Sequence, residues 1–71
     1  MTELERFGTS VRERRQELQL SQEDLAERSG LHRNYIGGIE RGERNIALKN
    51  IIRLAKALQM KPSELVSVLD D

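Results

Sequence analysis

A pair of apolar residues separated by five positions recurs four times in this 71-residue chain. The pairs are Leu20 with Leu25, Leu31 with Ile36, Ile46 with Ile51, and Met60 with Leu65. This spacing is typical of the hydrophobic staple, in which the residue before an N-cap packs against the fourth residue of the helix. The pairs therefore predict four helix starts, with N-caps at Ser21, His32, Ala47 and Lys61. Of these four residues only Ser21 is a strong side-chain cap.

An earlier helix is predicted by an apolar stripe at helical spacing, formed by Leu4, Phe7, Val11 and Leu18. Arg15 lies on the same stripe, where a guanidinium is costly unless a partner neutralises it. No stretch alternates apolar and polar residues as a strand would. We therefore expect an all-α fold with five helices, over residues 3–19, 22–29, 33–40, 48–58 and 62–69.

The length predicts one small domain spanning residues 1–71, whose core alone stabilises it only marginally. The chain has no cysteine, which excludes disulfides and thiolate metal sites. It also has no apolar run long enough to span a membrane and no signal-peptide core near its start. A cytoplasmic location is the expectation.

Charge is unevenly distributed although the net charge is zero. Residues 28–61 carry eight basic and two acidic side chains, whereas the segments on either side each have a net charge of −3. A local basic surface can bind phosphates even when the whole molecule is neutral. An ordinary solvated face is an equally simple explanation of this pattern by itself.

The stretch from Ser21 to Gly42 has the spacing of a helix-turn-helix. Ala26 is small where two helices must approach closely, and Gly30 follows the first helix where the chain must adopt a left-handed conformation. Ile36 and Ile39 are placed to hold the second helix across the first. Each feature is common by itself, and it is their combined spacing that indicates a helix-turn-helix.

The segments LSQEDLAERSGLHRNYIGGIERGERN and LKNIIRLAKALQMKPSEL resemble phage-repressor/Cro-type helix-turn-helix regulators over nearly the whole chain. Within that family, YIGGIERGERN is most similar to the small controller proteins of restriction–modification systems. The resemblance implies a five-helix, lambda-repressor-like DNA-binding domain. It further implies a homodimer on a near-palindromic operator, with the second motif helix in the major groove.

The resemblance implies base-reading roles for the residues that start this second helix, namely His32, Arg33, Asn34 and Tyr35. Their chemistry suits that task, because Arg pairs with guanine through two hydrogen bonds and Asn can pair with adenine. Tyr35 has two interpretations: a DNA contact, or a half-buried core residue. His32 replaces the hydroxyl residue usual at this cap.

Backbone contacts are implied for a second group of residues, at the first motif helix and in the loop after the second: Ser21, Gln22, Arg41, Arg44 and Asn45. The resemblance also implies an ion pair between Arg15 and Glu40. Such a pair would neutralise the guanidinium on the apolar stripe and brace the second motif helix.

Gly37 and Gly38 lie inside that helix, where each costs about 1 kcal/mol relative to Ala. Either the bare backbone lets DNA or a helix approach closely, or it packs against a neighbouring helix. The two glycines supply no side chain for base reading.

A dimerisation surface is expected over residues 48–69. After Leu48, Ile51, Leu54, Ala55 and Leu58 are assigned to the core, four apolar residues remain: Ile52, Val66, Val68 and Leu69. A two-fold interface would cover them. A frayed C-terminus with incidental apolar residues is the alternative.

These observations favour a sequence-specific transcriptional regulator that binds double-stranded DNA as a homodimer, with RNA polymerase as a further candidate partner. Two alternatives are the antitoxin of a toxin–antitoxin pair and a protein-interaction adaptor without DNA binding. With one His, no Cys and no clustered carboxylates, an enzyme is not expected, nor is any cofactor, metal or small-molecule ligand. Neighbouring genes, either a methyltransferase and endonuclease or a toxin, would discriminate between controller and antitoxin.

Overall fold

All the helix starts predicted by the apolar pairs are present in the computed structural model, which describes residues 1–70. The helices are α1 (Glu3–Glu17), α2 (Gln22–Ser29), α3 (Arg33–Glu40), α4 (Leu48–Ala57) and α5 (Pro62–Val66), followed by a 3₁₀ turn (Ser67–Leu69). The described residues contain no strand, which confirms the all-α, five-helix prediction. Asp71, the last residue of the predicted domain, lies outside the described residues.

Side-chain caps form at three helix starts. Ser21 accepts a hydrogen bond from the Asp24 amide at 3.0 Å, and Asp24 accepts one from the Ser21 amide at 2.9 Å. Thr2 and Glu5 form the same reciprocal box at the start of α1, which the apolar pattern does not reveal. The expectation that His32 caps poorly is wrong, because its Nδ1 accepts from the Asn34 amide at 3.1 Å.

The other two starts fit the expectation of weak side-chain caps. Ala47 makes no side-chain hydrogen bond at the start of α4. Lys61 is capped only in reverse, because its amide donates to the Glu64 carboxylate at 2.9 Å. At these two helix starts, stabilisation therefore depends more on the packing of the stapled apolar residues.

Three helices end earlier than predicted, and one of them is α5, which ends at Val66 rather than at residue 69 because the chain tightens into the 3₁₀ turn. α1 ends at Glu17 rather than at residue 19, because Gln19 takes a left-handed conformation with φ of 59°. Gln59 does the same after α4, with φ of 57°. In each case the next amide donates back into the helix, from Leu20 to the Arg15 carbonyl and from Met60 to the Ala55 carbonyl. These are Schellman-type ends, at which Gly is the usual residue.

The core draws on every helix. The stapled residues Leu25, Ile36 and Leu65 are fully buried, and Ile51 is half-buried. The other buried apolar residues are Phe7, Val11, Leu20, Ile39, Leu54, Ala55, Ala57 and Leu58. The core assignment of Leu48 is wrong, because its side chain is 72% exposed at the first position of α4.

Gly8 sets the distance between α1 and α3. A Cβ atom at this position would lie 2.2 Å from the Ile39 carbonyl oxygen and 2.7 Å from that of Glu40. Both are backbone atoms that cannot move aside. The absence of a side chain at Gly8 therefore lets α1 pack directly against the end of α3.

The turn of the motif forms as the sequence predicts. Gly30 ends α2 with φ of 74°, and its amide donates to the Ala26 carbonyl at 2.9 Å. Ser29 is buried beside it, donating to the Ala26 carbonyl and accepting from the Leu31 amide. The chain then enters α3 at a fixed angle.

None of the helices within residues 1–70 is long and apolar enough to cross a membrane. Within the same residues, no three His, Asp or Glu side chains are grouped as metal ligands would be.

Candidate nucleic-acid interface

Helix α3 presents one face to the core and the opposite face outward. Ile36 and Ile39 are buried on the inner side. Arg33 and Asn34 are exposed in the first turn, and Gly37 and Gly38 follow them by one helical turn. The outward face therefore has two polar side chains followed by two glycines.

The four residues at the start of α3 are not equally free. Asn34 is exposed, whereas the His32 ring is engaged in capping the helix. Arg33 donates from Nη1 to the Glu23 carboxylate of α2 at 3.1 Å, with both side chains largely exposed. Tyr35 is half-buried against the core, which matches the second interpretation of this residue.

The Tyr35 hydroxyl accepts a hydrogen bond from the Asn50 side-chain amide of α4 at 3.2 Å. The Arg44 guanidinium lies over the Tyr35 ring, with its carbon 5.7 Å from the ring centroid. Sequence reasoning did not find Asn50. Its contact crosses from α3 to α4, and no spacing rule relates the two positions.

The expected pair of Arg15 and Glu40 is present. Arg15 donates from Nε and Nη2 to the two Glu40 oxygens at 2.7 and 2.9 Å, and from Nη1 to the Leu20 carbonyl at 2.8 Å. The side chains are only 12% and 4% exposed. The hydrogen bonds that Arg15 donates to Glu40 raise the pKa of Arg15 above its ordinary value despite the partial burial. α1 is thus tied to the end of α3.

Gln22 joins this pair from α2. Its side-chain amide donates to Glu40 Oε1 at 3.2 Å. A carboxamide nitrogen carries two hydrogens, so a second donor remains for another acceptor. Ser21, beside it, is exposed and uses its hydroxyl oxygen as the cap of α2.

The loop after α3 carries the remaining predicted contacts. Arg41 donates from Nε to the Glu43 carboxylate at 3.1 Å. That hydrogen bond raises the pKa of Arg41 and lowers the pKa of Glu43, with charge attraction acting in the same direction. Asn45 is exposed but borders an apolar depression formed with Leu4, Val66 and Leu69 rather than α3.

Gly37 and Gly38 are buried, although they lie on the outward face of α3. A Cβ at Gly37 would be 3.1 Å from Arg41 Nη1, and a Cβ at Gly38 would be 3.1 Å from Arg44 Cγ and Nε. Side chains from the following loop therefore cover both glycines. Among the atoms nearest to these Cβ positions, only Gln22 Oε1, 3.6 Å from a Cβ at Gly37, belongs to a neighbouring helix.

The predicted dimerisation residues differ in exposure. Ile52 is 47% exposed and Leu69 lies at the surface, whereas Val66 and Val68 are half-buried. The Val68 carbonyl accepts from Arg6 Nη2 at 2.7 Å. The exposed Leu48 precedes Ile52 by one helical turn, so the helical spacing could have assigned it to this surface.

The chain is similar in sequence to known proteins. Residues 11–65 match the helix-turn-helix family model. The chain is 51% identical to the control protein C.SmaI of Serratia marcescens over 61 residues, covering 86% of this chain and 73% of that protein. It is 48% identical to the control protein C.BamHI of Bacillus amyloliquefaciens, covering 84% and 75%.

Solved structures of controller proteins are also similar to this chain. The controller protein C.AhdI of Aeromonas hydrophila superposes with a TM-score of 0.86 at 55% identity, covering 87% of this chain and 94% of that one. The C.Esp1396I tetramer in complex with its 35-base-pair operator superposes with a TM-score of 0.86 at 33% identity, covering 97% and 91%. The chain therefore belongs to the Cro/C1-type helix-turn-helix family, among the controller proteins of restriction–modification systems.

Proposed function

We propose that this protein is the controller of a restriction–modification system, a transcriptional regulator that binds a near-palindromic DNA operator as a homodimer. The observation that carries the proposal is the setting of Arg33 and Asn34. Both are exposed at the start of α3, while Ile36, Ile39 and the Arg15–Glu40 pair hold that helix from behind. A rigid helix with exposed polar residues in its first turn suits the major groove.

Base reading falls to this first turn. Arg33 would turn from Glu23 to a guanine edge, and Asn34 would pair with adenine. Giving up the Glu23 contact costs little, because ion pairs between exposed side chains contribute only about 0–1 kcal/mol. His32 and Tyr35 lie on either side of these two residues in sequence and are proposed as further base contacts, although the His32 ring also caps the helix and the half-buried Tyr35 also bonds Asn50.

Phosphate contacts would position the helix without reading sequence. The residues proposed for this are Ser21, Gln22, Arg41, Arg44 and Asn45. Gln22 keeps one amide hydrogen free when the other is bound by Glu40, so it can reach a phosphate from a fixed position. Arg41 must leave Glu43, another exposed carboxylate.

The homodimer would form across the surface that Leu48 and Ile52 of α4 share with Val66, Val68 and Leu69. A two-fold axis there would present two copies of α3 to successive major grooves, roughly 34 Å apart. The tetramer of C.Esp1396I on its operator supports assembly on DNA as a property of such chains.

The proposal assigns no catalytic step, cofactor or small-molecule ligand to the protein. RNA polymerase is proposed as a second partner, because a transcriptional regulator acts on the initiation of transcription. A cytoplasmic location follows from the same role.

The test begins by selecting duplexes that the wild-type protein binds from a randomised DNA pool. The selected site should show two-fold symmetry. We expect Arg33→Ala to weaken binding to this site by about 1–3 kcal/mol and to relax preference at one base pair per half-site. Arg28→Ala is the matched control, since it removes the same charge at the far end of α2.

Two results would contradict the proposal. Selection that yields no preferred sequence would reject a sequence-specific regulator. An equal loss of affinity for the selected site and for random DNA in Arg33→Ala would reduce Arg33 to a phosphate contact.

A further inference from the structure

We propose that Gly38 is a positioning residue for DNA binding, because its lack of a side chain forms the seat in which Arg44 lies along the outward face of α3. The inference rests on the proposed function. Gly38 has no side chain that could contact DNA, and its proposed role is to position a cationic side chain from the following loop.

Two residues of α3 form the seat. Gly38 and Tyr35 are three residues apart on α3 and are therefore neighbours on the helix surface. Arg44 packs against both: its Cγ and Nε lie 3.1 Å from the position of a Gly38 Cβ, and its guanidinium lies 5.7 Å from the Tyr35 ring centroid. The middle of the side chain lies at the glycine and its charged end at the aromatic ring.

The end of α3 directs the chain into this position. The Glu43 amide donates to the Gly38 carbonyl at 2.9 Å, and the Gly42 amide donates to the Ile39 carbonyl at 3.0 Å. With Gly42 at φ of 77°, this is a Schellman end, which reverses the chain so that Arg44 returns over the last turn of the helix. Gly38 thus fixes Arg44 through its backbone carbonyl as well as through the space it leaves.

Holding Arg44 along α3 has a consequence for binding. A long side chain that is already ordered loses less conformational freedom when it meets a phosphate. The seat also extends the cationic surface of α3 past its first turn, where the helix itself provides no side chain. The recognition surface is therefore shared between α3 and its following loop.

Gly37 is the matched control inside the same helix. A Cβ at Gly37 would lie 3.1 Å from Nη1 of Arg41, the far end of a flexible side chain, and at an ordinary contact distance of 3.6 Å from Gln22 Oε1. A Cβ at Gly38 would meet Cγ and Nε of Arg44, near the root and middle of its side chain. The closest distance is 3.1 Å at both positions, but alanine at Gly37 needs only a terminal guanidinium atom to move, whereas alanine at Gly38 needs Cγ and Nε of Arg44 to move together.

The experiment compares Gly38→Ala, Gly37→Ala, Arg44→Ala and the Gly38→Ala, Arg44→Ala double variant on the selected duplex and on random DNA. Because Ala has a higher helix propensity than Gly, neither alanine should lower the Tm. We expect Gly38→Ala to weaken binding to both DNAs by about threefold to tenfold and to make the salt dependence shallower, as loss of one phosphate contact does. Gly37→Ala should change affinity by less than about twofold, since terminal guanidinium atoms reorient at little cost.

The double variant decides whether Gly38 acts through Arg44. We expect it to bind as weakly as Arg44→Ala alone. An additional loss in the double variant would mean that the new methyl group obstructs DNA directly, which overturns the inference. Unchanged affinity and salt dependence in Gly38→Ala would overturn it too, while leaving the regulator proposal intact if wild-type protein still selects a DNA site.

Discussion

At the residue scale, Arg15, Arg33 and Arg41 each pair with a carboxylate, and the pairs differ in how far they are exposed to solvent. Arg15 is largely buried, and it donates hydrogen bonds to both oxygens of Glu40. Arg33 and Arg41 are paired with exposed carboxylates, where solvent screens the attraction and makes the pair easy to exchange for another anion. The first kind of contact belongs to the fold, and the second leaves the cations available for DNA.

Gln59 is a residue at which the conformation conflicts with the amino-acid type. Its φ of 57° is costly for a residue with a Cβ and cheap for glycine. We expect Gln59→Gly to raise the free energy of unfolding by about 1 kcal/mol, measured by urea denaturation. Arg53→Gly, in the interior of α4, should lower the free energy by a similar amount. A loss of stability in Gln59→Gly would contradict the left-handed end of α4.

At the element scale, α3 is held in place by contacts with α1 and α2. Gly8 lets the backbones of α1 and α3 touch, and Arg15 ties α1 to Glu40 at the last turn of α3. Gln22 adds a hydrogen bond from α2 to the same carboxylate. Helix α3 is only eight residues long, so these contacts, rather than its own propensity, determine its orientation.

Removing only one partner of the Arg15–Glu40 pair should therefore cause a large loss of stability. We expect Glu40→Ala to lower the free energy of unfolding by about 3 kcal/mol, because it leaves a largely buried guanidinium without its counter-charge. Glu13→Ala, which removes an exposed carboxylate from α1, should change it by less than about 0.5 kcal/mol.

The double variant Arg15→Ala, Glu40→Ala tests the coupling. Its loss should be smaller than the sum of the two single losses, because no unpaired charge remains. Strict additivity in urea denaturation at one protein concentration would show that the two side chains do not interact.

At the scale of the whole molecule, the exposed apolar residues of α4 support the proposed homodimer. Leu48 and Ile52 are exposed on one side of α4, and Leu69 lies at the surface near the end of the described chain. A chain this small gains stability when such a surface is covered by a second copy.

We expect the wild-type protein to sediment as a dimer at micromolar concentration and Ile52→Glu to sediment as a monomer. The buried carboxylate would be too costly at the centre of an apolar interface. Gln19→Glu is the matched control, since it adds the same charge at an exposed position bordered by α2 and the end of α1 and by none of the proposed dimerisation residues. A monomeric wild type, or a dimer that survives Ile52→Glu, would contradict this interface.

Features formed by residues that are close together in the sequence were predictable from the sequence. The helix starts, the turn at Gly30 and the exposure of Arg33 and Asn34 follow from staples, caps and helical spacing, which act within about five residues along the chain. The pair of Arg15 and Glu40, separated by 25 positions, came from family resemblance and not from any spacing rule.

By itself, then, the sequence determined which segments are helical, where they begin and which turn carries the polar side chains. Only the tertiary structure decided that Tyr35 bonds Asn50 and that Arg41 and Arg44 cover Gly37 and Gly38. Those outcomes depend on the angles and distances at which helices and loops meet. Such distances arise from packing of the whole core, which no local pattern encodes.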